Sequence, residues 1–262
     1  MTRTALTIAG SDSGAGAGIQ ADLKTFAAHG VYGTSVITAV TAQNTVGVAM
    51  FEALSPALVR AQLDAVMSDI GAHAAKTGML ATAAIVETVA AAVVELRIPQ
   101  LVVDPVMVAK SGDRLLDDAA VHAIKTALLP RAFVVTPNIP EAEALTGIPI
   151  TTDEDRREAA RRIMALGPTA VIIKGGHFPT PDIVDLLYLG GEFAEFRHAR
   201  IAGRHTHGTG CTFAASIAAS LAVGRSVAEA IPLAQHYIAG AIRNGPRLGA
   251  GNGPMDHFWE RR

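Results

Sequence analysis

Along the 262-residue chain, short β-branched apolar runs alternate with longer segments whose apolar residues recur at helical spacing. TALTIA (4–9), SVITAV (35–40), LVVDP (101–105), AFVVTP (132–137) and TAVIIKGG (169–176) predict strands. They are apolar on both faces, as in a mainly parallel sheet covered by helices. Between the first two, Ile19, Leu23 and Phe26 share one helix face while Gln20, Asp22 and Lys24 fall elsewhere. The alanine-rich run from Met79 to Leu96 is interrupted by Glu87 and Glu95, so it predicts a buried helix and not a membrane span. IVDLLYLG (183–190) and EFAEFRHARI (192–201), joined by Gly190 and Gly191, predict an antiparallel hairpin at a sheet edge. Helices follow over roughly 209–222 and 226–243. With no repeat, low-complexity tract or long linker, the expectation is one α/β domain over 1–262.

Composition narrows the partners. Half of the residues are hydrophobic, 18% are charged and the formal net charge is -2. That balance has no basic footprint for nucleic acid or an anionic membrane, which leaves small molecules or proteins as partners. The single cysteine cannot form an internal disulfide, and MTRTALTIAGSD lacks a signal peptide's apolar core, so a cytoplasmic protein is expected.

Candidate chemistry gathers where the strands end. In an open parallel sheet, ligands bind beyond the carboxyl ends of the strands. Here those ends run into Gly10-Ser11-Asp12, Gln43-Asn44, Asp104, Thr136-Pro137-Asn138 with Glu141 a step beyond, and Lys174-Gly175-Gly176. Each alone is ordinary loop polarity. Together they line one edge with carboxylates, amides and a lysine, the chemistry of a metal and phosphate site.

Two glycine loops sharpen this. GSDSGAGAG (10–18) follows a strand but is no dinucleotide fingerprint: counted from Gly14 and Gly16 the last position is Ile19, and no acid occurs between Asp22 and Glu52. No glycine directly precedes a lysine, which excludes a P-loop. Gly208-Thr209-Gly210-Cys211 opens onto TFAASIAASLAV, placing unpaired amides and the positive end of a helix dipole around an anion. The same field predicts a depressed thiol pKa at Cys211. A zinc site from His205, His207 and Cys211 is the rival, short of a fourth ligand.

THGTGCT (206–212), DPVMVAKSGD (104–113), TPNIPEAEALTG (136–147), KGGH (174–177), AGIQADLKTF (17–26) and the terminal GNGPMDHF together resemble the hydroxymethylpyrimidine/phosphomethylpyrimidine kinases of thiamine biosynthesis, in the ribokinase-like superfamily. The resemblance runs from Ile8 to about Phe258. It implies a three-layer α/β/α kinase that uses ATP and Mg2+ to convert 4-amino-5-hydroxymethyl-2-methylpyrimidine to its monophosphate and then its diphosphate. It further implies Cys211 as general base, where many ribokinase-like enzymes carry aspartate, with the amides of Gly208, Thr209, Gly210 and Cys211 forming an anion hole. Asp104 and Glu141 fall at the magnesium positions, and Lys174, Asn138 and Thr206 at ATP positions. Gln43 matches the residue that hydrogen-bonds the pyrimidine, with Asp22, Gly10, Ala17, Met79 and Val106 lining its pocket. A homodimer is expected, with a monovalent cation as a further candidate cofactor. The first loop departs from the family's G-x-D-P-S-G-G-A-G, since Ser13, Gly14 and Ala15 replace Pro, Ser and Gly. Pyridoxal/pyridoxine kinase is the alternative activity, and a catalytically silent vitamin sensor the alternative class.

Overall fold

The computed structural model describes residues 2–107, 116–176 and 181–261. Residues 108–113 of the DPVMVAKSGD motif and His177 of KGGH lie outside the described residues.

One nine-stranded sheet runs through the chain in the order β3-β2-β1-β4-β5-β6-β7-β8-β9. The strands are β1 (Thr4–Asp12), β2 (Tyr32–Gln43), β3 (Val48–Ala53), β4 (Ala74–Thr77), β5 (Leu101–Val103), β6 (Val134–Val135), β7 (Ala170–Ile173), β8 (Asp182–Leu189) and β9 (Glu192–Ala199). The six from β2 to β7 pair in parallel, while β3, β8 and β9 extend the two edges with antiparallel pairings. The predicted hairpin is therefore present at one edge. Two strands escaped the sequence pattern, β3 and β4. AAKT carries little β-branched signal, and it is a strand because Leu6–Ile8 and Leu101–Val103 flank it in register.

Helices cover both faces. Helices α1 (Gly18–Ala28), α7 (Thr209–Ala222) and α8 (Val227–Arg243) pack on one side around Phe26, Phe213, Ile217 and Ile231. On the other lie α2 (Pro56–Asp69), α3 (Ala83–Glu95), α4 (Asp118–Ala123), α5 (Ile139–Thr146) and α6 (Asp153–Met164), around Leu63, Ile85, Val89, Leu145 and Ile163. The helix expected from Met79 begins at Ala83, where Thr82 caps it by accepting from the Ile85 amide. The residues before it form a loop from β4, with a left-handed turn at Ala81 (φ +66°), and this loop holds Met79. Among the described residues no helix is long and apolar enough to cross a membrane.

The outer edges differ in character. On β9, Phe193 stacks on Tyr188 at 4.4 Å and is covered by the Arg157 and Arg161 guanidiniums, leaving Glu192, Glu195 and Arg197 facing solvent. Around β3, by contrast, Val46, Met50 and Phe51 are exposed, Met50 by 66%.

Candidate active site

The first loop is organised by Asp12, at the end of β1. Its Oδ1 accepts from the Gly14 amide at 2.8 Å, and its Oδ2 from the amides of Gly16 (3.0 Å) and Ala17 (2.8 Å). The Nε2 of His207 approaches the same Oδ2 at 2.9 Å. Burial alone would raise the pKa of Asp12, but the His207 bond and the Ala17 and Gly14 amides outweigh it and leave the carboxylate below its usual range. The sequence offered Asp12 only as one of the polar strand ends and His207 only as a zinc-ligand candidate, not as partners of each other. The D-x-G spacing of an Asx turn was the available signal for Asp12.

This loop and the turn before α7 are in direct backbone contact. A Cβ on Gly16 would lie 2.2 Å from His207 Cδ2, and one on Gly208, whose φ is +82°, would lie 1.9 Å from the Gly16 carbonyl oxygen. Glycine at both positions is required by this approach. Thr209 turns its amide back to the Thr206 carbonyl at 3.4 Å, and its hydroxyl donates to the same oxygen at 3.2 Å. The Thr209 amide is thus occupied, while those of Gly210 and Cys211 lie in the first helical turn, where the helix itself offers no partner.

Beside that turn sits a charged cluster. Lys174, past β7, places its Nζ 2.9 Å from Asp104 Oδ1 and 3.9 Å from Glu141 Oε2. A Cβ on Gly210 would lie 3.5 Å from this Nζ and 3.8 Å from Asp104 Oδ2. The start of α7, the lysine and the two carboxylates therefore meet at one point. Asn138 is the N-cap of α5: its Oδ1 accepts from the Glu141 amide (2.9 Å) while Glu141 Oε2 accepts from the Asn138 amide (2.8 Å). Burial pushes Glu141 up to about 7, with Asp104 adding to the rise and Lys174 opposing it. Two buried carboxylates sharing one lysine are short of positive charge when a phosphate draws that lysine away. Their oxygen chemistry suits Mg2+ held by carboxylates and substrate phosphates. Among the described residues no group of three or more His, Cys, Asp and Glu side chains could hold a metal by itself. The zinc alternative is not assembled, since His207 is turned to Asp12.

Cys211 is partly exposed at the start of α7, and the Gly18 amide donates to its sulfur. Its thiol does not have the depressed pKa expected from the helix start. Burial pushes it up to about 11, and Asp22 and Asp104 add to this, against the opposing effects of Lys76 and the Gly18 amide. Desolvation and nearby carboxylates outweigh the favourable field.

The pocket residues divide. Gly10, at a bulge in β1, faces Met79, whose Sδ would be 3.5 Å from a Cβ there. Ala17 borders the Asp12 loop, Val106 is partly buried just past β5, and Gln43 is partly exposed at the end of β2. Ser13 Oγ donates to the Gln43 carbonyl (2.7 Å) and accepts from its amide (2.8 Å). The departure at position 13 thus ties the first loop to Gln43, a link a proline could not make. Asp22 belongs elsewhere. It has no exposed surface, and its carboxylate is spent on Lys76 Nζ (2.9 and 3.1 Å) and the Thr7 hydroxyl (2.6 Å). In this arrangement it cannot touch a substrate. Lys76, in the interior strand β4, is equally buried and was not foreseen.

Comparison with known proteins decides the lineage. Residues 12–256 match the phosphomethylpyrimidine kinase family model. The chain belongs to this family. It is 49% identical to the hydroxymethylpyrimidine/phosphomethylpyrimidine kinase of Bacillus subtilis over 98% of this chain and 96% of that one. It is 54% identical to the thiamine biosynthesis bifunctional protein ThiED of Geobacter sulfurreducens over 97% of this chain, spanning about half (52%) of that longer protein. Among solved structures, the Staphylococcus aureus pyridoxal kinase in complex with AMP-PCP and pyridoxal aligns at a TM-score of 0.92 and 37% identity, over 100% of this chain and 96% of that one. The phosphomethylpyrimidine kinase of Clostridium difficile aligns at 0.82 and 43%, over 92% of this chain and 100% of that one. The architecture is thus the ribokinase-like α/β/α sandwich.

Proposed function

We propose that the protein transfers phosphate from ATP to 4-amino-5-hydroxymethyl-2-methylpyrimidine, and then to the resulting monophosphate, as a kinase of thiamine biosynthesis. The observation that carries this reading is the meeting of the α7 amides with Lys174, Asp104 and Glu141 beside a single thiol. In the proposed step the substrate hydroxyl oxygen bonds to the γ-phosphorus as the bond to ADP breaks, and the hydroxyl proton passes to Cys211 in its thiolate form, giving the thiol. The amides of Gly210 and Cys211, with Lys174, take up charge on the phosphoryl oxygens. Asp104 and Glu141 would hold Mg2+, which when bound neutralises phosphate charge. Asn138 and Thr206 are assigned to the ATP side.

The pyrimidine is preferred over pyridoxal because relatives named for the pyrimidine are 46–52% identical, whereas the pyridoxal kinases of similar shape are 37–39% identical. Incubation with ATP, Mg2+ and each alcohol, with and without potassium to read monovalent-cation dependence, is expected to give the pyrimidine diphosphate with the higher kcat/KM. Faster turnover of pyridoxal would reverse the assignment.

We further assign a homodimer, seated on the β3 edge and not on the charged β9 hairpin. Exposed Val46, Met50 and Phe51 leave apolar surface at an open sheet edge, which a second copy would cover. Light scattering should give twice the chain mass, and Met50→Lys with Phe51→Lys should halve it; a monomeric parent would end the assignment.

A further inference from the structure

The segment after α8 runs back across the site as a strap. Its Asn252 amide donates to the Thr45 carbonyl at 2.9 Å, and its Gly251 amide to the Thr45 hydroxyl at 3.3 Å. The Gly253 amide then donates to the Arg204 carbonyl (2.9 Å), the Gly253 carbonyl accepts from the His207 amide (3.2 Å), and Pro254 forms a parallel β-bridge with His207. This approach leaves no room for side chains. A Cβ on Gly251 would lie 2.0 Å from the Thr45 carbonyl oxygen, and one on Gly249 2.1 Å from the Thr45 hydroxyl. The far end of the strap is anchored too: Met255, Asp256 and His257 are buried, and the His257 ring meets the hydroxyl of Thr212, the neighbour of Cys211, at 3.1 Å.

What the strap joins gives it a use. Thr45 lies just past Gln43, and the strap's other contacts, Arg204, His207 and Thr212, flank the GTGC turn. On its opposite side the Gln43 loop is held by Ser13, through the two bonds to the Gln43 backbone. We propose that residues 249–254 are a positioning element for phosphoryl transfer, which through Thr45 sets the distance between the Gln43 ring contact and the Cys211 thiol. This rests on the kinase reading above, in which a ring seated on Gln43 must bring its hydroxymethyl group to the thiol and the γ-phosphate together. A single-ring substrate has few contacts with which to correct its aim. If the Gln43 loop moves against α7, the ring stays bound but its hydroxyl is misdirected, and a misplacement of about 1 Å is enough to lower the rate on the order of 10²-fold. The Gly253 bonds to Arg204 and His207 are separate from the Thr45 contact, so Thr206 and the ATP side keep their places.

The test is Gly251→Ala, since Gly251 is not in the left-handed region and only its close approach to Thr45 is disturbed. This variant is expected to lower kcat for the pyrimidine alcohol by about 10- to 100-fold per folded molecule, with KM for ATP unchanged and the folded fraction read by calorimetry. A merely structural contact would lower Tm and leave kcat per folded molecule at the parent value; that result, or a matching rise in KM for ATP, overturns the proposal. Thr45→Val, which removes the acceptor for the Gly251 amide, is expected to lose about fivefold in kcat, and Thr45→Ser to restore it. Should Gly251→Ala fail to fold, this pair decides, and equal rates for the two Thr45 variants overturn the proposal. If the parent does not phosphorylate the pyrimidine alcohol, the kinase reading falls and this role with it; if the parent does and the variants match it, the strap role falls alone.

Discussion

Replacing Cys211 with alanine is expected to lower kcat by roughly 10² to 10⁴, the usual worth of a positioned general base, with KM for the pyrimidine little changed. The thiol sits in the first turn of α7, and the Gly18 amide fixes its sulfur. Its pKa makes the prediction sharper. A thiol pushed up to about 11 is almost wholly protonated at neutral pH, so the reactive thiolate is scarce. Each pH unit below that value cuts the thiolate about tenfold. The parent kcat should therefore climb steeply from pH 7 to 9 without a plateau, while Cys211→Ala shows a shallow profile. Alkylation of Cys211 by iodoacetamide should follow the same rise and should slow when substrate is bound. A parent profile flat over this range, or a Cys211→Ala variant of near-normal rate, would remove the base role and leave the work to the amides, Lys174 and the metal.

Lys76→Ala is expected to cost about 3–5 kcal/mol of stability, because it strands a buried carboxylate. Lys76 and Asp22 are both fully buried, 2.9 Å apart, with Thr7 as the remaining partner. Burial works against the Lys76 charge, but attraction to Asp22, Cys211 and Asp104 more than offsets it and raises its pKa. Burial also raises the pKa of Asp22, against the opposing pull of Lys76. Without the lysine, the carboxylate must either take up a proton or remain charged in an apolar layer. At about 2–4 °C per kcal/mol, Tm should drop by roughly 6–20 °C in differential scanning calorimetry. Replacing both partners with apolar residues, Asp22→Leu with Lys76→Met, should recover most of this loss, since no uncompensated charge remains. A single-variant loss under about 1 kcal/mol would show that the pair is not intact in solution. The folded fraction of Lys76→Ala should also alkylate more slowly at Cys211, because the largest influence holding that thiol down is gone.

Much of the site was legible in order along the chain. Strand ends that terminate in Asp104, Asn138 and Lys174 announce a ligand edge because a parallel sheet sends every such end to the same side. The GTGC turn announces an anion site because local backbone geometry at a helix start is set within a few residues. The buried-helix reading of the alanine-rich run and the Gly-Gly hairpin held for the same reason: periodicity and turn chemistry are short-range.

What the sequence by itself determined is therefore the alternation of strands and helices, the family's motifs and the edge along which they gather. Only the tertiary structure decided that AAKT is a central strand, that Asp22 is withdrawn from the pocket into a pair with Lys76, and that Asp12 and His207 bind the first loop to the α7 turn. Those partners lie 54 and 195 positions apart. The rise in the Cys211 pKa belongs with them. A helix start is a local feature that sequence reveals, but the desolvation and carboxylates that overrule it come from segments that meet only when the chain is packed.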